Sequence, residues 1–179
     1  MLVRDDVILI VIDLQDGLLP KISGAEGVVE SAIKLIRFAR TLDLPVMWTE
    51  QYPKGLGVTN EEVAKELEGL TPLEKVSFGC FGGPGFSEAV AATGRRQILV
   101  TGIEAHVCVM QTVLVGLSMG YEVYVARDAV GSRYPGDYEA GLARMRAHGA
   151  EIVTTDMAMF EILRAAGTPE FKKVLPLLK

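Results

Sequence analysis

The chain has 179 residues, carries 18 Lys and Arg against 23 Asp and Glu for a net charge of −5, and is 49% hydrophobic. That composition excludes disorder as the overall state, and an acidic balance with no Lys/Arg run longer than two argues against the concentrated basic footprint of a nucleic-acid surface. The longest apolar stretch, Val7–Ile12, ends at Asp13, far short of the roughly 20 residues that span a bilayer.

One domain covering 1–179 is expected, because a chain of this length sits within the size range of a single core. Two acids, Asp5 and Asp6, stand where a signal peptide needs a basic start, so a cytoplasmic location is expected. Two cysteines make no disulfide framework.

In chain order, Val7–Ile12 is a continuous apolar run, the pattern of a strand buried on both faces of a parallel sheet. Residues 27–42 carry a broad helical stripe that Leu44 and Pro45 terminate, and 46–49 read as a second strand. A turn-rich loop over 50–60 precedes a charged helix at about 60–68 and an extended piece at 73–76. Residues 79–85 hold four Gly and a Pro and are irregular, the most obvious candidate for an active-site loop. Then come a helix at Phe86–Ala92, a strand at 97–101, a helix at 106–119, a strand at 121–126, a helix at 137–147, a strand at 151–154 and two C-terminal helices, 157–165 and 169–178. Strands alternating with helices over this length give a three-layer α/β/α sandwich on a six-stranded, mainly parallel sheet rather than an eight-unit barrel.

Ligands of such sheets bind beyond the carboxyl ends of the strands. That rule selects Asp13, Glu50, Lys75, residues 103–108 and Asp128. Cys108 falls where the chain leaves a central strand and enters a helix, and free N–H groups with the positive end of a helix dipole there favour thiolate over thiol. A thiol, a carboxylate to take its proton and an ammonium to stabilise charge are the parts of nucleophilic catalysis. Taken singly, Asp13 reads equally as a cap, Lys75 as a solvated lysine and Cys108 as a packed core residue.

The stretches IVIDLQ at 10–15, Glu74 and Lys75 before a Ser/Phe/Gly loop, and VTGIEAHVCV at 100–109 resemble the isochorismatase-like cysteine hydrolases through nearly the whole chain. TEQYPKGLG at 49–57, with residues 141–146 and 169–173, is most similar to the isochorismatase domain-containing branch. The resemblance implies a catalytic triad of Asp13, Lys75 and Cys108, a cis peptide at Glu104–Ala105, and an oxyanion hole formed by the N–H groups of Ala105 and Cys108. It further implies hydrolysis of an amide-type C–N bond in a small molecule through a Cys thioester, no cofactor, and a homo-oligomer. The metal-holding Asp-x-His of related nicotinamidases has no counterpart in the 48–52 loop, and His106 and His148 are too few and too far apart for a metal site.

Trp48, Gln51 and Phe81 flank the expected site and are candidates to line an apolar substrate pocket. Cys80 is a loop-packing residue or a redox partner of Cys108. His106 is two residues from the nucleophile, a spacing that does not face a base toward it, and His148 reads as a helix cap. Asp128, Ser132 and Arg133 are expected to fix the loop after the fifth strand. The apolar end at 174–178 supplies contact surface or folds back on the core. A binding protein using Cys108 as a redox-sensing thiol is the main alternative, and a flavin or nucleotide carrier lacks a phosphate loop.

Overall fold

A computed structural model describes residues 1–178. Six parallel strands form one sheet in the order β3-β2-β1-β4-β5-β6: β1 Val7–Ile12, β2 Val46–Gln51, β3 Leu73–Lys75, β4 Gln97–Ile103, β5 Glu122–Gly131 and β6 Glu151–Val153. The helices are α1 Ala25–Thr41, α2 Pro53–Leu56, α3 Glu61–Glu66, α4 Phe86–Ala92, α5 Met110–Ser118, α6 Pro135–Ala147, α7 Thr155–Leu163 and α8 Pro169–Val174.

Every residue of β1 is buried, as its unbroken apolar run requires. Strand alternation then divides the interior in two. Val7, Leu9 and Val11 pack with α1 and α7, whereas Ile8, Ile10 and Ile12 pack with α4, α5 and α6. The chain builds outward from β1 to β3, then crosses back to β4 and builds the other way. Between β1 and β4 lies the switch point, where the connections diverge and leave a crevice at the carboxyl ends of the strands.

Differences from the sequence expectation have local causes. A single turn, α2, occupies part of the loop over 50–60, with Pro53 supplying a preset φ at its first position. Strand β5 runs on to Gly131 through a register irregularity against β4 between Val100 and Gly102, so Asp128 marks a bulged region and not a strand end. The helix expected over 106–119 is divided into a π-helical turn, Ala105–Val109, followed by α5. The C-terminal segment folds back, with Val174 fully buried and Leu177 and Leu178 packed on the α1 side of the core. Among the described residues no helix is long and apolar enough to cross a membrane.

Candidate active site

Asp13, Lys75 and Cys108 are brought to the same end of the sheet, beside the switch point. Asp13 follows β1 with φ of 53° and is fully buried. Its Oδ2 accepts from Lys75 Nζ at 2.7 Å and its Oδ1 from Thr49 Oγ1 at 2.7 Å. Lys75, at the end of β3 and also buried, places its remaining donors on Gln51 Oε1 at 2.7 Å and the Phe78 carbonyl at 2.9 Å. An ammonium has three donors, so this one is fully satisfied and fixed in direction. A buried ion pair is tolerable only in such a setting, because removing both charges from water costs several kcal/mol per ion.

The frame around the pair is polar and closed. Gln15 donates from Nε2 to the carbonyls of Gln51 at 3.0 Å and Gly57 at 2.6 Å, and its Oε1 accepts from the Gln51 N–H at 2.7 Å. The exits of β1 and β2 are thus joined by one side chain. At Gly102 in β4 the backbone has φ of 123°, and a Cβ there would lie 2.0 Å from the Ile12 carbonyl oxygen. Only glycine permits β4 to lie this close to β1.

Cys108 lies in the π-helical turn, buried to 6% exposure, with the Asp13 carboxylate beside it. Burial pushes its thiol well above the ordinary range, and the Asp13 charge adds to this more than Lys75 relieves. That environment favours the thiol over the thiolate expected from the helix terminus. Position at a helix start is outweighed by desolvation and by an adjacent carboxylate whose own partner is already engaged.

Cys80 belongs to the same cluster. It is fully buried, its Sγ is 3.7 Å from Thr49 Oγ1, and its N–H donates to Thr112 Oγ1 at 2.9 Å. Thr112 in turn donates to the Cys108 carbonyl at 2.7 Å. Burial, followed by the Asp13 charge, pushes the Cys80 thiol up to about 11.

Other candidates fall elsewhere. The cis peptide is Ile103–Glu104 and not Glu104–Ala105. Strand β4 continues through Ile103, which pairs with Gly131, and the π turn opens at Ala105, so the redirection of the chain falls one residue earlier. Trp48 is buried on the α1 face of the sheet with its indole Nε1 unpartnered, because alternation along β2 sends Thr49 and Gln51, not Trp48, toward Asp13. Phe81 packs edge-on to Phe86 at 5.1 Å, stacks on Tyr121 at 6.0 Å and covers Gly116, two turns along the helix from Cys108. Gln51 is at the site but spends its amide on Lys75 and on the Val76 carbonyl.

His106 faces Ser132 Oγ at 3.0 Å and Asp137 at 3.7 Å. His148 caps α6 with Nδ1 at 2.8 Å from the Arg144 carbonyl oxygen. Asp128 accepts from the Thr155 N–H, while Arg133 pairs with Glu104. Among the described residues no group of three or more His, Cys, Asp or Glu is arranged to hold a metal. Thr49, Gln15 and Thr112 were not singled out from sequence, although period-2 spacing from Gln51 places Thr49 on the site face.

A crevice of about 290 Å³ opens beside Lys75 between Tyr52, Val76 and Pro84. A doubly wound parallel sheet whose buried ionisable groups collect near its switch point is an α/β protein of the kind that binds ligands beyond the carboxyl ends of its strands. The Isochorismatase domain profile matches residues 7–157, and the chain belongs to the isochorismatase family. Isochorismatase domain-containing protein 2A of Mus musculus is 35% identical over 173 residues, covering 96% of this chain and 82% of the relative. Isochorismatase domain-containing protein 2 of Homo sapiens is 36% identical over 173 residues, again covering 96% and 82%. Among solved structures, MAR1 ribonuclease from Caenorhabditis elegans superposes with a TM-score of 0.93 at 32% identity, covering 99% of this chain and 91% of that one. YcaC from Pseudomonas aeruginosa, with covalent acrylamide, gives 0.91 at 26% identity, covering 98% and 90%.

Proposed function

We propose that the protein is a cysteine-dependent hydrolase that cleaves an amide-type C–N bond of a small molecule through a thioester on Cys108. The observation that carries this reading is the fully buried Asp13 carboxylate, which accepts from Lys75 Nζ at 2.7 Å on one side and has the buried Cys108 on the other. Asp13 accepts the Cys108 proton, whereupon the Lys75 charge faces a thiolate instead of a carboxylate. The sulfur attacks the acyl carbon, the S–C bond forms, and the carbonyl π pair moves onto oxygen. Backbone N–H groups of the turn between Glu104 and Cys108, among them the expected pair Ala105 and Cys108, face that oxyanion. Asp13 returns its proton to the departing nitrogen as the C–N bond breaks. It then takes a proton from water, whose oxygen attacks the thioester; the S–C bond breaks to release the acid, and Asp13 returns the proton to the departing Cys108 sulfur.

A redox-sensing role finds less support, since sensor cysteines are exposed and acidic whereas Cys108 is buried with its thiol pushed up. The test is ammonia release and intact mass across a panel of small amides, with Cys108→Ala and Asp13→Asn beside the wild type. Cys108→Ala abolishes both adduct and turnover, and Asp13→Asn lowers acylation by about 10²-fold or more. Unchanged hydrolysis in Cys108→Ala sinks the scheme. Because structural neighbours from three organisms carry ribonuclease in their names, an oligoribonucleotide belongs in the panel. Cleavage lost in Cys108→Ala would replace the amide with a phosphodiester.

A further inference from the structure

The turn carrying Cys108 is gripped from outside by residues with no part in the proton path. Glu104 is 6% exposed, and its carboxylate takes three hydrogen bonds from one residue: the Arg133 N–H at 3.1 Å and Nε at 3.0 Å to Oε2, and Nη2 at 2.6 Å to Oε1. Arg133 holds the Glu104 carboxyl below the usual carboxylate range. The neighbouring residue, Ser132, is buried and lies 3.0 Å from His106 Nδ1. The Glu104 carbonyl accepts the N–H groups of Val107 at 3.0 Å and Val109 at 3.2 Å, so a shift of Glu104 carries the turn with it. On the other side, a Cβ at Gly141 of α6 would lie 3.0 Å from the Ala105 oxygen and 3.0 Å from His106 Cα.

We infer that Arg133 is a positioning residue for the thiol-bearing turn. With Ser132 it grips residues 104 and 106 on either side of Ala105 and aims the turn's N–H groups at the developing oxyanion. The inference rests on the cysteine-hydrolase reading above. A bidentate guanidinium suits this task because its planar fork fixes direction as well as charge.

Two reagents separate aiming from thiol reactivity. Acrylamide adds to Cys108 by forming an S–C bond at its terminal carbon. The alkene π pair shifts onto the amide oxygen as an enolate, and a proton from Asp13 then reaches the α carbon. Methyl methanethiosulfonate forms a disulfide with Cys108 and expels methanesulfinate, with no carbonyl to polarise. Rates of both are read by intact mass.

Arg133→Met slows acrylamide addition at least tenfold and leaves the thiosulfonate rate within twofold of wild type, and Arg133→Lys recovers part of the loss. An acrylamide rate within twofold of wild type in folded Arg133→Met, or an equal fall with both reagents, overturns the inference. If circular dichroism shows Arg133→Met unfolded, Glu104→Gln decides on the same two criteria. A wild-type Cys108 that neither reagent labels overturns the cysteine-hydrolase reading, and this inference falls with it.

Discussion

The two halves of the site stabilise themselves by opposite means. On the β1/β2/β3 side, Asp13, Lys75, Thr49, Gln51 and Gln15 are joined by direct hydrogen bonds of 2.7–3.0 Å, each charge meeting its complement at contact. On the β4/α5 side Cys108 has no cation of its own. Burial favours its neutral thiol, and its turn is held by Thr112 at the Cys108 carbonyl, by the Glu104 carbonyl and by the partners of Glu104 and His106. The first half keeps a permanent charge pattern, and in the proposed mechanism the second depends on that pattern to become reactive. A buried thiolate would be a third charge in a volume already holding two, so its formation waits until the proton reaches Asp13.

The largest way to break this contrast is Lys75→Met, which leaves Asp13 buried without its partner. Stability should fall by about 3–5 kcal/mol, the range for half of a buried ion pair. Urea unfolding at pH 7 measures it, and a loss below about 1 kcal/mol would mean that the pair is solvated in solution.

The thiol half is sharpened by pH. A Cys80 thiol raised to about 11 contributes stability that is complete below the ordinary thiol pKa of about 8.5 and is lost as pH rises toward 11, because the unfolded chain ionises first. Between about pH 9 and 11 the wild type should lose roughly 1 kcal/mol more per pH unit than Cys80→Ala. Parallel slopes would show that the thiol is not desolvated.

The smallest effect calibrates the others. Lys34 and Asp156 make an ion pair of 2.8 Å, almost the length of Asp13–Lys75, but their side chains are 34% and 63% exposed. Lys34→Ala should alter stability by less than about 1 kcal/mol in the same assay. A larger loss would remove burial as the reason for the difference.

Legibility from sequence followed how local the deciding physics was. Periodicity located the strands because burial on both faces demands continuous apolar runs. It placed Phe86–Ala92 to the residue because Gly85 before that helix and Thr93 after it bound a short apolar stripe. Asp13, Lys75 and Cys108 are legible as candidates because strand ends are where a parallel sheet gathers ligand-facing residues. Trp48 was misassigned although alternation was available: an aromatic near a site suggests a pocket wall, but only the strand's phase tells which layer receives it. Phe81 was not decidable that way, since an irregular loop has no phase. The protonated thiol and the grip of Arg133 on Glu104 depend on burial and on contacts 29 residues apart, which no local pattern encodes.

Gly102 sets the spacing between the two halves. Since the ends of β1 and β4 meet there backbone to backbone, the interval separating acid from sulfur belongs to the sheet itself. Side chains that line the crevice without holding the frame, such as Tyr52, Val76 and Pro84, can therefore be exchanged to admit differently shaped molecules while that interval stays constant. Substrate range and reaction chemistry are, in this architecture, separately adjustable properties.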